Sequence, residues 1–81
     1  MAYFYVLYSE KLQKYYLGAC TDLDRRLNEH NTSQSKFTSL GMPWALVYTE
    51  SYPDLKFAKQ RELSVKRKKS KRYIERLISG G

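Results

Sequence analysis

Residues 3–27 read YFYVLYSEKLQKYYLGACTDLDRRL, and this stretch decides the fold. Tyr3 to Ser9 is dense in aromatic and branched side chains, which suit a pleated, half-buried strand. Glu10 to Lys14 is a short polar connection. Tyr15 to Cys20 then returns to strand composition, so the two segments form an antiparallel hairpin. Directly behind it, Thr21 and Asp24 stand at capping-box spacing, an acidic side chain three residues past a hydroxyl. That spacing predicts a helix from about Asp22 to His30.

Working outward, Asn31 to Met42 (NTSQSKFTSLGM) is polar and reads as an exposed loop. Pro43 opens a third strand over Trp44 to Glu50. Helical spacing resumes from Leu55 to about Lys69. Ser70 then caps a last helix whose apolar stripe is Tyr73, Ile74, Leu77 and Ile78, with Gly80 and Gly81 at its end. The order β-β-α-β-α-α describes an α+β domain, a three-stranded antiparallel sheet flanked by helices. Three strands are too few for a doubly wound sheet. No repeat or linker divides the chain, so residues 1–81 are expected to form a single domain.

Composition narrows the function. Fifteen Lys and Arg against eight Asp and Glu give a net charge of +7. The surplus is clustered between Lys56 and Arg76, and Lys66 to Lys69 is an unbroken basic run. A solubilising helix face would also be basic, but clustering of this kind favours a polyanionic partner, nucleic acid first. Cys20 is the single cysteine, which excludes an internal disulfide framework and any cysteine-based zinc spacing. A lone thiol fits a reducing compartment, so the cytoplasm is expected. Neither a secretory segment nor a run of membrane-spanning length is present, and no membrane partner is expected.

Pattern and residue type conflict at three positions. On a helical wheel Leu23, Arg26, Leu27 and His30 share one stripe, and the leucines mark the side facing the sheet. In the second helix Leu55, Ala58 and Val65 point inward, and Glu62 falls near the centre of their stripe. An inward charge is costly unless paired or hydrogen-bonded. One resolution is an Arg26–Glu62 ion pair that fixes helix docking. The other is a polar cleft lined by Arg26, His30 and Glu62 where both helices meet the sheet, on one side of it. Gly18 either lets the backbone approach a ligand or bends its strand, and the bend is the simpler reading.

Eight tyrosines are many for 81 residues. Tyr3 and Tyr5 share one face of the first strand, and Tyr16 lies on the second. In this setting the chain resembles the GIY-YIG endonuclease family. Tyr3-Phe4-Tyr5 stands in the place of Gly-Ile-Tyr, with Tyr3 replacing the glycine. Tyr16-Leu17-Gly18 stands in the place of Tyr-Ile-Gly, with Leu17 replacing the isoleucine. Residues 21–27 (TDLDRRL) resemble the segment that supplies the family's arginine, which the interval from Gly18 assigns to Arg26. His30-Asn31 completes an Arg-x-x-x-His-Asn pattern. Pro43 with Leu46-Val47-Tyr48 resembles the third strand. Ala58-x-x-x-Glu62-x-x-x-Lys66 resembles the metal-binding helix, with Lys71 and Leu77-Ile78 beyond it. The ordered set runs from about Tyr3 to Ile78.

The resemblance implies a metal-dependent endonuclease that hydrolyses phosphodiester bonds, with DNA expected before RNA and a part in repair or recombination. It implies Tyr5, Tyr16, Arg26, His30 and Glu62 as catalytic residues, with Tyr5 or Tyr16 handling the attacking water. Glu62 is a hard oxygen ligand suited to one Mg²⁺ or Mn²⁺ ion. Arg26 can meet negative charge with two parallel donors. Arg25, Lys66, Arg67, Lys68, Lys69 and Lys71 are candidates for phosphate contacts. A non-catalytic nucleic-acid-binding module on the same fold is the alternative, which charge and aromatic content serve equally well.

Overall fold

A computed structural model of the chain describes residues 1–32 and 40–80. Strands β1 (Ala2–Ser9), β2 (Lys14–Cys20) and β3 (Trp44–Tyr52) form one antiparallel sheet in the order β2-β1-β3. Helix α1 (Leu23–Asn31) lies between β2 and β3 in the chain, and α2 (Leu55–Lys68) and α3 (Lys71–Ser79) follow β3. The expected order is the observed one. The third strand extends two residues past Glu50, to Tyr52. The loop expected over 31–42 lies largely outside the described residues, although Asn31 belongs to α1.

Side-chain caps set the three helix starts among the described residues. The first is not the expected Thr21–Asp24 box. Asp22 is the cap, its carboxylate accepting from the Arg25 N–H at 3.0 Å. A carboxylate there makes a charge-assisted bond and complements the helix dipole, both of which favour it over a threonine hydroxyl. Asp54 caps α2 through the Phe57 N–H, and Ser70 caps α3 through the Tyr73 N–H, as its sequence position predicts.

Strand alternation divides the core in two. Phe4, Val6 and Leu17 face α2 and α3, packing on Val65 with Tyr73, Ile74, Leu77 and Ile78. Tyr5, Leu7 and Cys20 face α1, packing with Trp44, Leu23 and Leu27. The pairing of β3 with β1 slips between Val6 and Leu7, where Val47 is the extra residue of a bulge. The slip reverses the strand's phase. Tyr48, Glu50 and Tyr52 therefore share the face of Val6 and Phe4, whereas Trp44 turns to the α1 face.

Glu50 is an inward carboxylate that sequence pattern did not single out. It accepts hydrogen bonds from the Tyr48 and Tyr52 hydroxyls and a two-pronged ion pair from Arg61, with Nε at 2.9 Å and a terminal nitrogen at 3.2 Å. Arg61 also reaches the Tyr73 hydroxyl at 3.5 Å, so one network ties β3, α2 and α3 together. Burial alone would raise the Glu50 carboxyl, but the donors from Arg61, Tyr48 and Tyr52 outweigh it and hold the group below its ordinary value of 4.5. A depressed carboxyl contributes its full stability above the unfolded-state value, and that contribution is lost as pH falls through the folded one. Arg61→Met should therefore cost about 1–3 kcal/mol in urea unfolding at pH 7. Glu50→Gln should flatten the fall of Tm below pH 4.5.

Candidate active site

The site is built around one ring and one missing side chain. Tyr5 on β1 pairs directly with Gly18 on β2. A Cβ on Gly18 would lie 2.3 Å from the Tyr5 hydroxyl oxygen and 2.4 Å from the ring carbon that bears it. The Tyr5 ring therefore lies flat across the neighbouring strand, and its hydroxyl sits over β2, the outer strand of the sheet. Gly18 is kept small for this close approach rather than for a bend, which corrects the simpler reading.

Tyr5 is only 3% exposed, and its hydroxyl lies 3.3 Å from Nε2 of His30, itself 4% exposed. The His30 ring packs on Tyr16, with centroids 4.8 Å apart, and Tyr16 in turn meets Trp44. Asn31, the next residue, donates its side-chain amide to the Trp44 carbonyl and accepts from the Trp44 N–H. That double bond between the end of α1 and the start of β3 holds His30 in place. Sequence placed His30 at the margin of a cleft. It lies in the interior, in contact with both tyrosines.

Arg26 and Glu62 depart further from expectation. Arg26 is not an inward residue: its side chain is 49% exposed and pairs with Glu29 at 3.4 Å. Glu62 is more enclosed, at 19%, and pairs with Lys66. The Arg26–Glu62 ion pair, the first of the two resolutions, is not formed, because each charge finds a partner on its own helix one turn away. Nor do the two helices meet on one side of the sheet, since α1 covers the Tyr5 face and α2 the opposite one. Helix placement alone would part Arg26 from Glu62 and defeat a shared cleft. Both charges still act on the Tyr5 phenol, Arg26 lowering it and Glu62, the smallest influence, raising it.

The electrostatics follow from burial. Desolvation, then the neighbouring Tyr16, push the Tyr5 phenol well above its ordinary value, and Arg26 opposes them. Burial, then Arg26, push His30 below 6.5, against a smaller upward pull from Glu29. At neutral pH the pair is thus a protonated phenol beside an uncharged imidazole. Burial also raises the Cys20 thiol, which leaves it a packing residue.

Arg26 borders a polar concavity of about 200 Å³ with Cys20, Asp22, Arg25 and Glu29. Tyr5, Tyr16, His30 and Glu62 do not line it. Arg25 is exposed and paired with Glu29 at 3.3 Å. Of the basic run, Lys66, Arg67, Lys68 and Lys69 are exposed, as is Lys71, and Lys68 lies over the Tyr73 ring. Among the described residues, no three His, Cys, Asp or Glu side chains are placed to hold a metal ion. One enclosed carboxylate still suits Mg²⁺ or Mn²⁺, which keep several waters and take further oxygens from substrate phosphates. No helix of the described residues is long and apolar enough to cross a membrane.

Residues 1–74 match the family model of the GIY-YIG catalytic domain. The chain belongs to the GIY-YIG family. It is 38% identical over 69 residues to a UPF0213 protein of Streptococcus pneumoniae, covering 84% of this chain and 69% of the relative. It is 36% identical over 77 residues to a UPF0213 protein of Bacillus velezensis, covering 90% and 77%. The solution NMR structure of a UPF0213 protein from Bacillus halodurans superposes with a TM-score of 0.58 at 36% identity, over 98% of this chain and 84% of that one. These relatives are small stand-alone GIY-YIG proteins. The superfamily is one of nucleases, which in general bind nucleic acid and use divalent metal ions.

The Tyr5–Gly18 contact makes a direct prediction. Gly18→Ala should cost about 1–3 kcal/mol, the usual range for overpacking a filled interior. It should also break the hydrogen bond to His30, because the phenol has to leave β2. An NMR titration of the imidazole would show it, with His30 moving toward 6.5 in the variant.

Proposed function

We propose that this protein is a metal-dependent endonuclease that hydrolyses phosphodiester bonds in DNA, acting in the cytoplasm. The observation that supports it most is the hydrogen bond between the buried Tyr5 hydroxyl and His30. A purely binding surface needs no interior phenol–imidazole pair.

Hydrolysis requires an attacking water, an acceptor for its proton, and stabilisation of charge on the phosphoryl oxygens. Tyr5 cannot serve as a free phenolate, since burial keeps its proton on. It acts as a relay. Its oxygen accepts a hydrogen bond from water and takes that proton as its own passes to Nε2 of His30. The imidazole must then be the Nδ1–H tautomer, and its lowered basicity keeps it uncharged and ready to accept at pH 7. Tyr16, packed on the imidazole, holds the ring beside the phenol. Arg26, half exposed and paired only at the surface, is free to exchange Glu29 for a phosphoryl oxygen. Glu62 would exchange Lys66 for Mg²⁺ or Mn²⁺, an ion that supplies charge neutralisation and a more acidic water. Arg25, Lys66, Arg67, Lys68, Lys69 and Lys71 provide ground-state phosphate contacts that position the strand.

Single-turnover cleavage of plasmid DNA with saturating enzyme tests the assignment. Arg26→Ala and Glu62→Gln should each slow the bound-state rate by about 10²–10³-fold while leaving affinity nearly unchanged. Rates of wild type should fall as pH drops below 6.5, where His30 begins to take up a proton from solvent. Activity persisting in excess EDTA would refute the metal role. Wild-type cutting by the Arg26 variant would leave a binding module on the same fold as the better reading.

A further inference from the structure

The basic residues at the end of α2 gather round a groove that the candidate catalytic residues do not line. A concavity of about 290 Å³ opens between the β1–β2 turn and the α2–α3 junction. Its walls carry Lys14 from the start of β2, Lys66 and Lys69 from the end of α2, and Lys71 from the start of α3. Its apolar lining is Tyr15, Val65 and Ile74. Arg67 and Lys68, in the middle of the same basic run, do not line it. Four cations from three separate segments thus surround one apolar-floored hollow.

Helix electrostatics do not explain the arrangement. Lys66 and Lys69 complement the negative end of α2, but Lys71 stands at the first position of α3, where the dipole disfavours a cation. No acidic residue occupies that first turn. Backbone conformation adds a second sign. Among the described residues, the only non-glycine residues with positive φ are Gln13 (53°) and Lys69 (48°), and both line this hollow. Glycine would satisfy the left-handed conformation with less strain at either place. Side chains retained at a strained backbone mark positions where the side chain itself has work to do.

We infer that this groove holds the sugar–phosphate backbone of a nucleic-acid strand flanking the cleaved bond, an inference that rests on the proposed nuclease function. Lys66 and Lys69 lie one and two turns beyond Glu62, about 6 and 10 Å along the helix axis. Phosphates of one duplex strand recur about every 3.4 Å along its axis, so the groove lies some two to three phosphates from the carboxylate. The lysines meet the phosphates, and the Tyr15, Val65 and Ile74 floor receives the apolar face of the sugar. Lys66 joins when substrate releases it from Glu62.

The test is binding of a short fluorescein-labelled DNA duplex in EDTA, where no metal-dependent cleavage interferes, at several salt concentrations. Lys69→Gly is the key variant, because it relieves the left-handed strain and so keeps or raises Tm. It should bind several-fold more weakly, with a salt slope shallower by about one. The double variant Lys14→Gln with Lys71→Gln should bind about tenfold more weakly, with a slope shallower by about two. The pair Lys56→Gln with Lys59→Gln, the same change of charge elsewhere on the surface, should lose markedly less. Groove variants that bind like wild type, or no worse than that control, overturn the groove while leaving the nuclease reading intact. Absence of DNA binding by the wild-type protein overturns both.

Discussion

Everything in the site depends on the Tyr5 ring lying across Gly18. A tyrosine on a central strand would ordinarily stand upright beneath the covering helix and end among apolar side chains. Here the facing residue has no Cβ, so the ring folds over the outer strand and carries its hydroxyl to the rim of the sheet. There the buried phenol bonds to His30 from α1.

The opposite face supplies the rigidity that this geometry demands. Glu62 must approach from α2 at one rotation of that helix, and its neighbour Arg61 is clamped to Glu50 on β3 by two parallel hydrogen bonds. Two more donors, Tyr48 and Tyr52, complete the carboxylate's coordination, so the clamp is satisfied inside a partly buried setting instead of being left as an unpaired charge. The bulge at Val47 makes both arrangements compatible. Without its change of phase, Trp44 would share the Glu50 face and could not back Tyr16 and His30.

The fold was legible because local signals agreed with one another: aromatic strands, a short polar turn, and a serine at the start of an apolar-striped helix. The cap of α1 was misread because Thr21 and Asp22 are adjacent candidates, and only the backbone geometry decides between them. Sequence singled out Tyr5, Tyr16 and His30, which the fold packs together, but not their arrangement. A helical wheel reports which side of a helix a residue occupies, and says nothing about which face of a sheet that helix covers. Arg26 and Glu62 looked like partners for that reason, whereas each is satisfied within its own helix. Glu50 escaped notice because its inward orientation depends on strand pairing, and the bulge that rephases β3 leaves no mark in composition. Gly18 was underread because the residue it accommodates lies thirteen positions earlier, on another strand.

The local pairing of Arg26 and Glu62 has a functional logic of its own. An ion pair across the site would fill it with neutralised charge, and substrate would have to break a strong, partly buried contact to enter. Pairs with Glu29 and Lys66 are one helical turn long and about half open to solvent on one partner, so each is weak and easily exchanged. The interior pair, Tyr5 and His30, is the reverse: uncharged at neutral pH, shielded, and fixed by packing. In the proposed mechanism, the charges that would change partners are held at the surface by weak bonds, while the groups that would pass a proton are held in the core. A single small sheet meets both requirements because its outer strand is thin enough, at one glycine, for the core and the surface to touch.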